Sequence, residues 1–251
     1  ASGRGQGGRL EKKIAAEARR FWPDEVRLYR TQKAGHGTEL AKQAIDEGAV
    51  ILAGAGGDGT FCEVIQASAP ARVPTLAIPL GTGNDLVRTL AIQDFDQSLR
   101  LLSAGRVVWA DAGELEGRLF ANILSCGFDG EVAELINTKF KWLRGTPAYV
   151  AAVLSALASF KPVRLCLTTE SEVIEKRVML CSVANAQTYG GGMKVAPEAS
   201  VTDGLLDIIL VKEVSVFEFL RQFPKVFSGS HLSHPAISVH RATRVLLEAE
   251  R

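Results

Sequence analysis

No apolar run in this sequence reaches the roughly 20 residues that a bilayer-spanning helix needs, and no secretory leader is expected. Net charge is equally scant. The 29 Lys and Arg against 28 Asp and Glu leave a formal +1, so no global field argues for nucleic acid as a partner. Cysteine is sparse. Cys62, Cys126, Cys166 and Cys181 show no metal-ligand spacing and read as reduced thiols of a cytoplasmic protein. Internal repeats and low-complexity tails are missing too. What is plentiful is apolar: 47% of 251 residues are hydrophobic, enough for one large domain or two modest ones with cores of their own.

The first half alternates strand and helix signals. Leu10 to Phe21 has helical spacing, Val26 to Tyr29 reads as a short strand, and Glu39 to Ile45 as a helix with Thr38 as cap and Gly48 as stop. An apolar run at 49–52 reads as a buried strand. It leads into the turn Ala53-Gly54-Ala55-Gly56-Gly57-Asp58-Gly59-Thr60 and a helix at 61–68. A strand at 75–78 then leads into a second glycine turn, Gly81-Thr82-Gly83-Asn84-Asp85, with helices at 85–90 and 96–104. Strands separated by helices imply right-handed crossovers and a parallel sheet, with ligands beyond the carboxyl ends of the strands. Both glycine turns lie there. From about residue 107 strand signals dominate (107–115, 118–125, 163–169, 173–185, 205–211, 237–249), interrupted by helical stretches near 130–143, 147–160 and 215–228. The expected fold is therefore α/β. A parallel-sheet nucleotide-binding domain over 1–110 precedes a β-rich, sandwich-like and mainly antiparallel acceptor domain over 111–251.

A glycine-rich turn between a buried strand and a helix brings backbone N–H groups close to a ligand, and the helix N-terminus favours an anion. Thr60 and Glu63 have capping-box spacing, which predicts a helix start at 60–61. Asp58 sits beside whatever the turn holds, and a polyphosphate with a divalent cation is the natural guest. Asn84 reads as a cap for the next helix, with Asp85 favoured in its first turn. Two polar glycine turns on one sheet edge are more simply explained by a shared site than by two structural turns.

The combination of Gly56 to Thr60 with Glu63, then Gly81 to Asp85, resembles the catalytic domain of the diacylglycerol kinases, a family that includes bacterial soluble lipid kinases, sphingosine kinases and ceramide kinases. The likeness continues through Phe120-Ala121-Asn122, Ser125, Gly127, Gly145, Tyr149, Asn185, Gly190 to Gly192, Ala196-Pro197 and Asp203-Gly204-Leu205-Leu206-Asp207. NAD kinases and phosphofructokinases share only the Gly-Gly-Asp-Gly turn. The resemblance implies an ATP- and Mg²⁺-dependent kinase that phosphorylates a lipid hydroxyl, diacylglycerol or a related alcohol, at a membrane surface, in phospholipid metabolism. A homodimer is compatible with it. It assigns ATP contacts to Ser2 and Gly3, where the chain opens mid-loop and is expected to be clipped, and to Thr31, Gly56, Gly57, Asp58, Gly59, Thr60, Phe61, Cys62, Thr82 and Asn84. Asp58, Asp85 and Asp111 match acidic positions that organise Mg²⁺ and its waters. Asp203 matches the ligand of a separate structural Mg²⁺, aided by carbonyls at Ser200 and Leu205.

Departures from the family are Ala55, where a methyl is tolerated only at negative φ, and Cys62, which replaces a common asparagine. The family's general base lies in an Asp-Gly-Glu element after the last strand. This sequence stops at Glu248-Ala249-Glu250-Arg251, so the base is expected beyond Arg251, and Asp58 has a supporting catalytic role. Two rival readings are an NAD kinase-like enzyme with a soluble acceptor and a non-catalytic module that binds nucleotide or lipid. Lys139 to Arg144, ahead of the apolar stretch Ala148 to Phe160, could touch an anionic membrane, but a helix packed in the core is the better reading. His231 and His234 read as part of a polar loop rather than a metal pair.

Overall fold

The computed structural model describes residues 7–22, 25–81, 83–140 and 146–250. The chain forms two compact units. Residues 1–121 join with 189–192 in one, and 122–188 with 193–251 in the other. A single cut near Asp111 has no place for the short segment 189–192, which packs with the first unit.

The first unit contains α1 (Gly7–Phe21), α2 (His36–Asp46), β1 (Leu52–Gly56), α3 (Asp58–Ala71), β2 (Thr75–Pro79), α4 (Asp85–Thr89) and α5 (Phe95–Ala104). A small hairpin, β3 (Gly113–Leu115) and β4 (Arg118–Phe120), follows. β1 and β2 pair in parallel from Leu52 opposite Thr75 to Gly56 opposite Pro79. Side chains alternate along a strand, so one face of β1 places Leu52 against Ala41, Ala44 and Val64 of α2 and α3. The other face places Ala55 with Ile78, Leu99 and Ala18 beside α1 and α5. Ala55 is absent from the residues with positive φ, so its methyl is accommodated as expected.

β1 begins three residues later than the apolar run at 49–52 suggests. The Gly48 and Ala49 N–H groups donate to the Ile45 and Ala44 carbonyls at 2.9 Å, so these residues finish the C-terminus of α2 before a ladder can start. Val26 to Tyr29 forms no strand. A cavity of about 1030 Å³ separates this stretch from β1, with Val26, Leu28, Leu52, Gly54 and Leu99 in its walls. Without a neighbour at ladder distance an apolar stretch stays coil. Val107 to Trp109, expected as strand, is exposed coil for the same reason.

In the second unit, β5 (Ile123–Gly127) is followed by α6 (Phe128–Thr138), α7 (Thr146–Ser159), β6 (Val163–Thr168), β7 (Val173–Ala184), β8 (Leu206–Lys212), α8 (Val216–Gln222), β9 (Ile237–Ala242) and β10 (Leu246–Glu250). These strands make a six-stranded sheet in the order β10-β6-β7-β8-β9, with β5 also on β7. Every pairing in it is antiparallel. Val178 faces Val163 on one side and Lys212 on the other. β5 and β6 therefore share one edge of the long β7, and β8 takes the opposite edge. The single strand expected over 237–249 is two strands, β9 and β10, which pair with different partners.

α6 and α7 bury Phe128, Val132, Ala152, Val153, Ala156 and Leu157 in one core with Met179 of β7. The Phe128 ring meets Phe160 edge-on at 5.5 Å and Phe219 at 5.1 Å. The apolar stretch after residue 146 is thus a core helix; Lys141 to Gly145 lie outside the described residues. On the sheet, Arg241 Nε donates to the buried Asp207 Oδ1 at 2.9 Å, which fastens β9 to β8 at the rung where these two residues are opposite.

His231 is buried within a short 3-10 turn (Ser230–Ser233), not in an open polar loop. His234 pairs with Glu218 at 3.1 Å. Among the described residues no three His, Cys, Asp or Glu side chains gather as a metal cage. Burial pushes the His231 imidazole below its usual pKa, outweighing the upward pull of the Val195 and Gly229 backbone. A folded-state pKa below the unfolded value of about 6.5 means protons bind the unfolded chain better. Stability from this group is complete above that pH and is lost as pH falls below it. Denaturant midpoints at pH 7.5 and 5.5 should fall further for the wild type than for His231→Gln. Equal losses in the two proteins would remove this role from His231.

Candidate functional site

Beyond the last rung of β1 and β2, the sheet pairing continues into the two glycine turns. The Gly56 carbonyl accepts the Leu80 N–H at 2.8 Å and the Gly81 N–H at 3.1 Å. The turns then touch backbone to backbone. A Cβ on Gly81 would overlap the Gly57 Cα, and one on Gly57 would stand 3.3 Å from the Gly81 Cα. Neither residue has positive φ, so glycine is required here for close approach rather than for backbone conformation. A Cβ on Gly56 would likewise overlap the Thr60 side chain, whereas Gly59 faces open space.

α3 starts at Asp58, two residues earlier than the capping-box reading placed it. The extended Gly57 is its N-cap, without a side-chain cap. The Gly57 carbonyl accepts the Thr60 and Phe61 N–H groups at 3.0 and 3.2 Å. Gly59 therefore lies in the first helical turn, where N–H groups have no partner four residues back. That turn, opening onto free space, carries the positive end of a 14-residue helix and can take an anion.

Glu63 makes no capping box. Its Oε1 accepts the Gly35 N–H at 2.8 Å and its Oε2 the Gly37 N–H at 2.7 Å. The Thr38 hydroxyl, expected to cap α2, donates instead to the Glu63 carbonyl at 2.9 Å. Glu63 is thus the cap of α2, supplied from α3. A Cβ at Gly37 would lie 2.5 Å from Glu63 Oε2 and 3.0 Å from Glu63 Cβ, so any larger residue would displace the capping carboxylate.

Asp58 reaches the other way. Its Oδ1 accepts the Leu86 N–H at 2.9 Å in the first turn of α4. Asn84 has left-handed φ of 53° and does not cap α4 through its side chain. Instead its Oδ1 accepts the Gly81 N–H at 3.0 Å and its Nδ2 donates to the Gly81 carbonyl at 2.8 Å, closing the turn on itself. Asp58 and Asp85 converge on Gly83, where an added Cβ would lie 3.0 Å from Asp58 Oδ2 and 3.4 Å from Asp85 Oδ2.

Asp85 is buried, and among the described residues its carboxylate accepts hydrogen bonds from Gly191 N–H at 2.8 Å, Gly192 N–H at 2.7 Å and Arg88 Nη1 at 2.9 Å. Gly190, Gly191 and Gly192 have φ of 61°, 87° and 110°, a backbone path that only glycine follows without strain. Arg88 also donates to the Gly83 carbonyl. Sequence reasoning missed Arg88. Its only signal is a charge three residues after Asp85, a common helix pairing. It missed Gln66 as well, whose side-chain amide pairs with both backbone groups of Leu119 at 2.7 and 2.9 Å and holds the hairpin to α3.

The other expected site residues are spread along the chain. Phe61 packs near Ala77, Val87 and Ile92. Cys62 is half-buried against the Leu119 carbonyl, and burial pushes its thiol pKa up. Thr31 is half-buried at the end of the extended stretch along the cavity. Asp111 is half-buried in the coil before β3. Asp203 is exposed in the turn before β8, where its Oδ1 accepts the Leu205 N–H at 3.1 Å. Ser200 accepts the Thr202 N–H at 3.3 Å in the same turn. Ser2, Gly3 and Thr82 lie outside the described residues. The structure thus brings Gly56 to Thr60, Gly81, Gly83, Asn84 and Asp85 together in one unit. Asp203, Ser200 and Leu205 belong to the other.

Comparison with known proteins adds a second line of argument. Residues 1–115 match the family described as the diacylglycerol kinase catalytic domain, and residues 122–251 match the YegS C-terminal NAD kinase beta sandwich-like domain. A diacylglycerol kinase of Bacillus subtilis (strain 168) is 31% identical over 225 residues, covering 88% of this chain and 74% of the relative. One from Mycobacterium tuberculosis (strain ATCC 25618 / H37Rv) is 30% identical over 218 residues, covering 83% and 70%. A crystal structure from Bacillus anthracis str. Sterne superimposes with a TM-score of 0.78 at 25% identity, covering 100% of this chain and 84% of that one.

The double role of Glu63 can be tested directly. Glu63→Ala leaves the Gly35 and Gly37 N–H groups without their acceptor, at a cost of about 1–3 kcal/mol. Chemical denaturation should show that loss, and amide exchange at Gly35 and Gly37 should accelerate. Unchanged exchange at both amides would contradict the assignment.

Proposed function

This chain belongs to the diacylglycerol kinase family, and from that premise we propose that it transfers the γ-phosphate of ATP to a lipid hydroxyl. Diacylglycerol or a related lipid alcohol is the acceptor. The observation that carries this reading is the contact between the two glycine turns, with Asp58 spanning from the first turn of α3 to that of α4. A cradle of this kind suits a phosphate chain, because N–H groups and a helix dipole face it while no side chain among the described residues obstructs Gly59.

Asp58 fits a role toward Mg²⁺. Its Oδ1 holds Leu86, its Oδ2 faces Gly83, and an ionised carboxylate accepts at both oxygens. Magnesium retains several waters and uses few protein carboxylates, so one such group beside a phosphate site is sufficient. Asp85 carries three donors on its carboxylate among the described residues. Its work is to hold the Gly190 to Gly192 segment. The Asp203 turn offers one carboxylate and backbone carbonyls, an all-oxygen set that suits Mg²⁺ chemically. When bound, Mg²⁺ neutralises charge on the phosphates. The chain's own residues bind and orient. Thr60 and Gly57 fix the start of α3, Asn84 shapes the second turn, and Asp58 keeps the two helix starts in register.

Among the described residues no helix is long and apolar enough to cross a membrane. Because the acceptor is a lipid hydroxyl, we place the reaction at the surface of a bilayer, reached from the cytoplasm. The assay uses the full native protein. It is incubated with γ-labelled ATP, Mg²⁺ and diacylglycerol in mixed micelles, and in parallel with NAD. Labelled lipid is expected. Asp58→Asn, which keeps an oxygen for Leu86, should lower transfer by roughly 100-fold or more with an unchanged circular dichroism spectrum. Labelled NADP, or nucleotide binding without transfer to any acceptor, would overturn the proposal.

A further inference from the structure

Two of the four cysteines are brought together by strand register. β5 and β7 set Cys126 directly opposite Cys181. Both are free thiols, and residues opposite each other in a sheet put their side chains on the same face. The Asn185 N–H donates to the Asn122 carbonyl across the same two strands. That makes Asn122 and Asn185 a hydrogen-bonded rung, and such rungs recur every second residue, so Cys126 and Cys181 form another. A rung of this type spaces its Cα atoms by about 5.5 Å, inside the roughly 4.4–6.8 Å that a disulfide spans. The neighbouring rung is pinned as well, by the Ser125 and Ser182 hydroxyls at 2.8 Å. Joining the two sulfurs would draw the Cβ atoms in from the roughly 5.5 Å of such a rung to about 3.8 Å, a local strain that keeps the bond readily reducible.

We propose that Cys126 and Cys181 are an oxidisable dithiol that closes a cross-strand disulfide between β5 and β7 in the presence of a peroxide. The two thiols differ in a way that orders the steps. Cys126 is half-buried, whereas Cys181 has no exposed surface. The Cys181 thiol and, more weakly, its backbone lower the Cys126 pKa to about 7 against the opposing effects of burial and Asp129. Its hydrogen bond to Cys126 and burial push Cys181 up. Cys126 is thus the thiolate that an oxidant meets first. Its sulfur attacks one peroxide oxygen, the O–O bond breaks, and Cys126 becomes a sulfenic acid with release of one water. The Cys181 sulfur then attacks the Cys126 sulfur and the S–O bond breaks. The departing hydroxide carries off the Cys181 proton as a second water. Two thiols are oxidised by two electrons, and one hydrogen peroxide is reduced to two waters. A dithiol reductant reverses the change by exchange.

The crosslink would tie the start of α6, directly after Gly127, to the middle of β7 and close the chain from Gly127 to Leu180 into a loop. Closing a long loop stabilises a fold mainly by restricting its unfolded chain, so the oxidised unit should melt several degrees higher than the reduced one. The test uses dilute native protein with equimolar hydrogen peroxide, then alkylation, digestion without reduction and mass spectrometry. The expected result is a Cys126–Cys181 linked peptide pair lighter by two hydrogens, with Cys62 and Cys166 alkylated, and full recovery of thiols with dithiothreitol. Cys181→Ser should instead leave a Cys126 sulfenic acid that dimedone traps. Cys126→Ser, at a half-buried position, should abolish oxidation of Cys181. Survival of both thiols, earlier oxidation of Cys62 or Cys166, or a disulfide between two copies of the chain would each overturn the proposal.

Discussion

The first unit depends on one close approach, that of the Gly57 backbone to the Gly81 backbone. Two parallel strands normally diverge once their ladder ends, because each turns toward its own helix. Here the Gly56 carbonyl holds two successive N–H groups of the opposite chain, which keeps the strands paired past their ends. Any side chain at Gly81 would push them apart. With the turns in contact, α3 and α4 begin side by side, and Asp58 can reach from one helix start to the other. The positive end of α3 and the second turn therefore share one small region instead of forming two separate loops.

Three carboxylates extend the same device. Asp58, Glu63 and Asp85 each accept backbone N–H groups from a segment distant in sequence: Leu86, Gly35 with Gly37, and Gly191 with Gly192. Hydrogen bonds to ionised acceptors are shorter and stronger than neutral ones. Each binds a glycine-rich or helix-start segment whose N–H groups would otherwise lack partners. Negative charge is thus gathered at the site for structural reasons before any ligand arrives. A phosphate chain entering such a region meets nearby acid groups, which is a physical reason why a divalent cation would accompany it.

Much of this was legible in the sequence, and the limits have identifiable causes. The glycine turns and the order of strands and helices come from short-range patterns, so β2, β7 and most helices fall close to their expected places. Interactions that cross the fold leave no such pattern. Glu63 and Thr60 have capping-box spacing, yet Glu63 serves α2, because the Gly35 and Gly37 N–H groups lie within reach and the extended Gly57 already starts α3. Val26 to Tyr29 has the composition of a strand but no ladder partner among the described residues, and a strand is defined by its partner. Asp85, read locally as a first-turn acid of α4, bonds to backbone about a hundred residues away. Only the folded path of Gly190 to Gly192 shows how many donors it already satisfies.

Register is the least legible quantity of all, and in the second unit it decides the chemistry. Asp207 meets Arg241, and Cys126 meets Cys181, only because β7, β8, β9 and β5 pair at those rungs. A slip of one residue would send each of these side chains to the opposite face of the sheet. The slip is resisted from both faces of β7. The hydroxyl pair Ser125–Ser182 lies on one face and the thiol pair on the other, while Phe128, directly after β5, is locked in the core formed by α6 and α7. The hydroxyl pair and the Phe128 packing, neither of which involves sulfur, are enough to set the register. The proximity of the two thiols is a consequence of the fold rather than its cause, so the chain can fold with both thiols reduced and meet an oxidant with the pair already aligned.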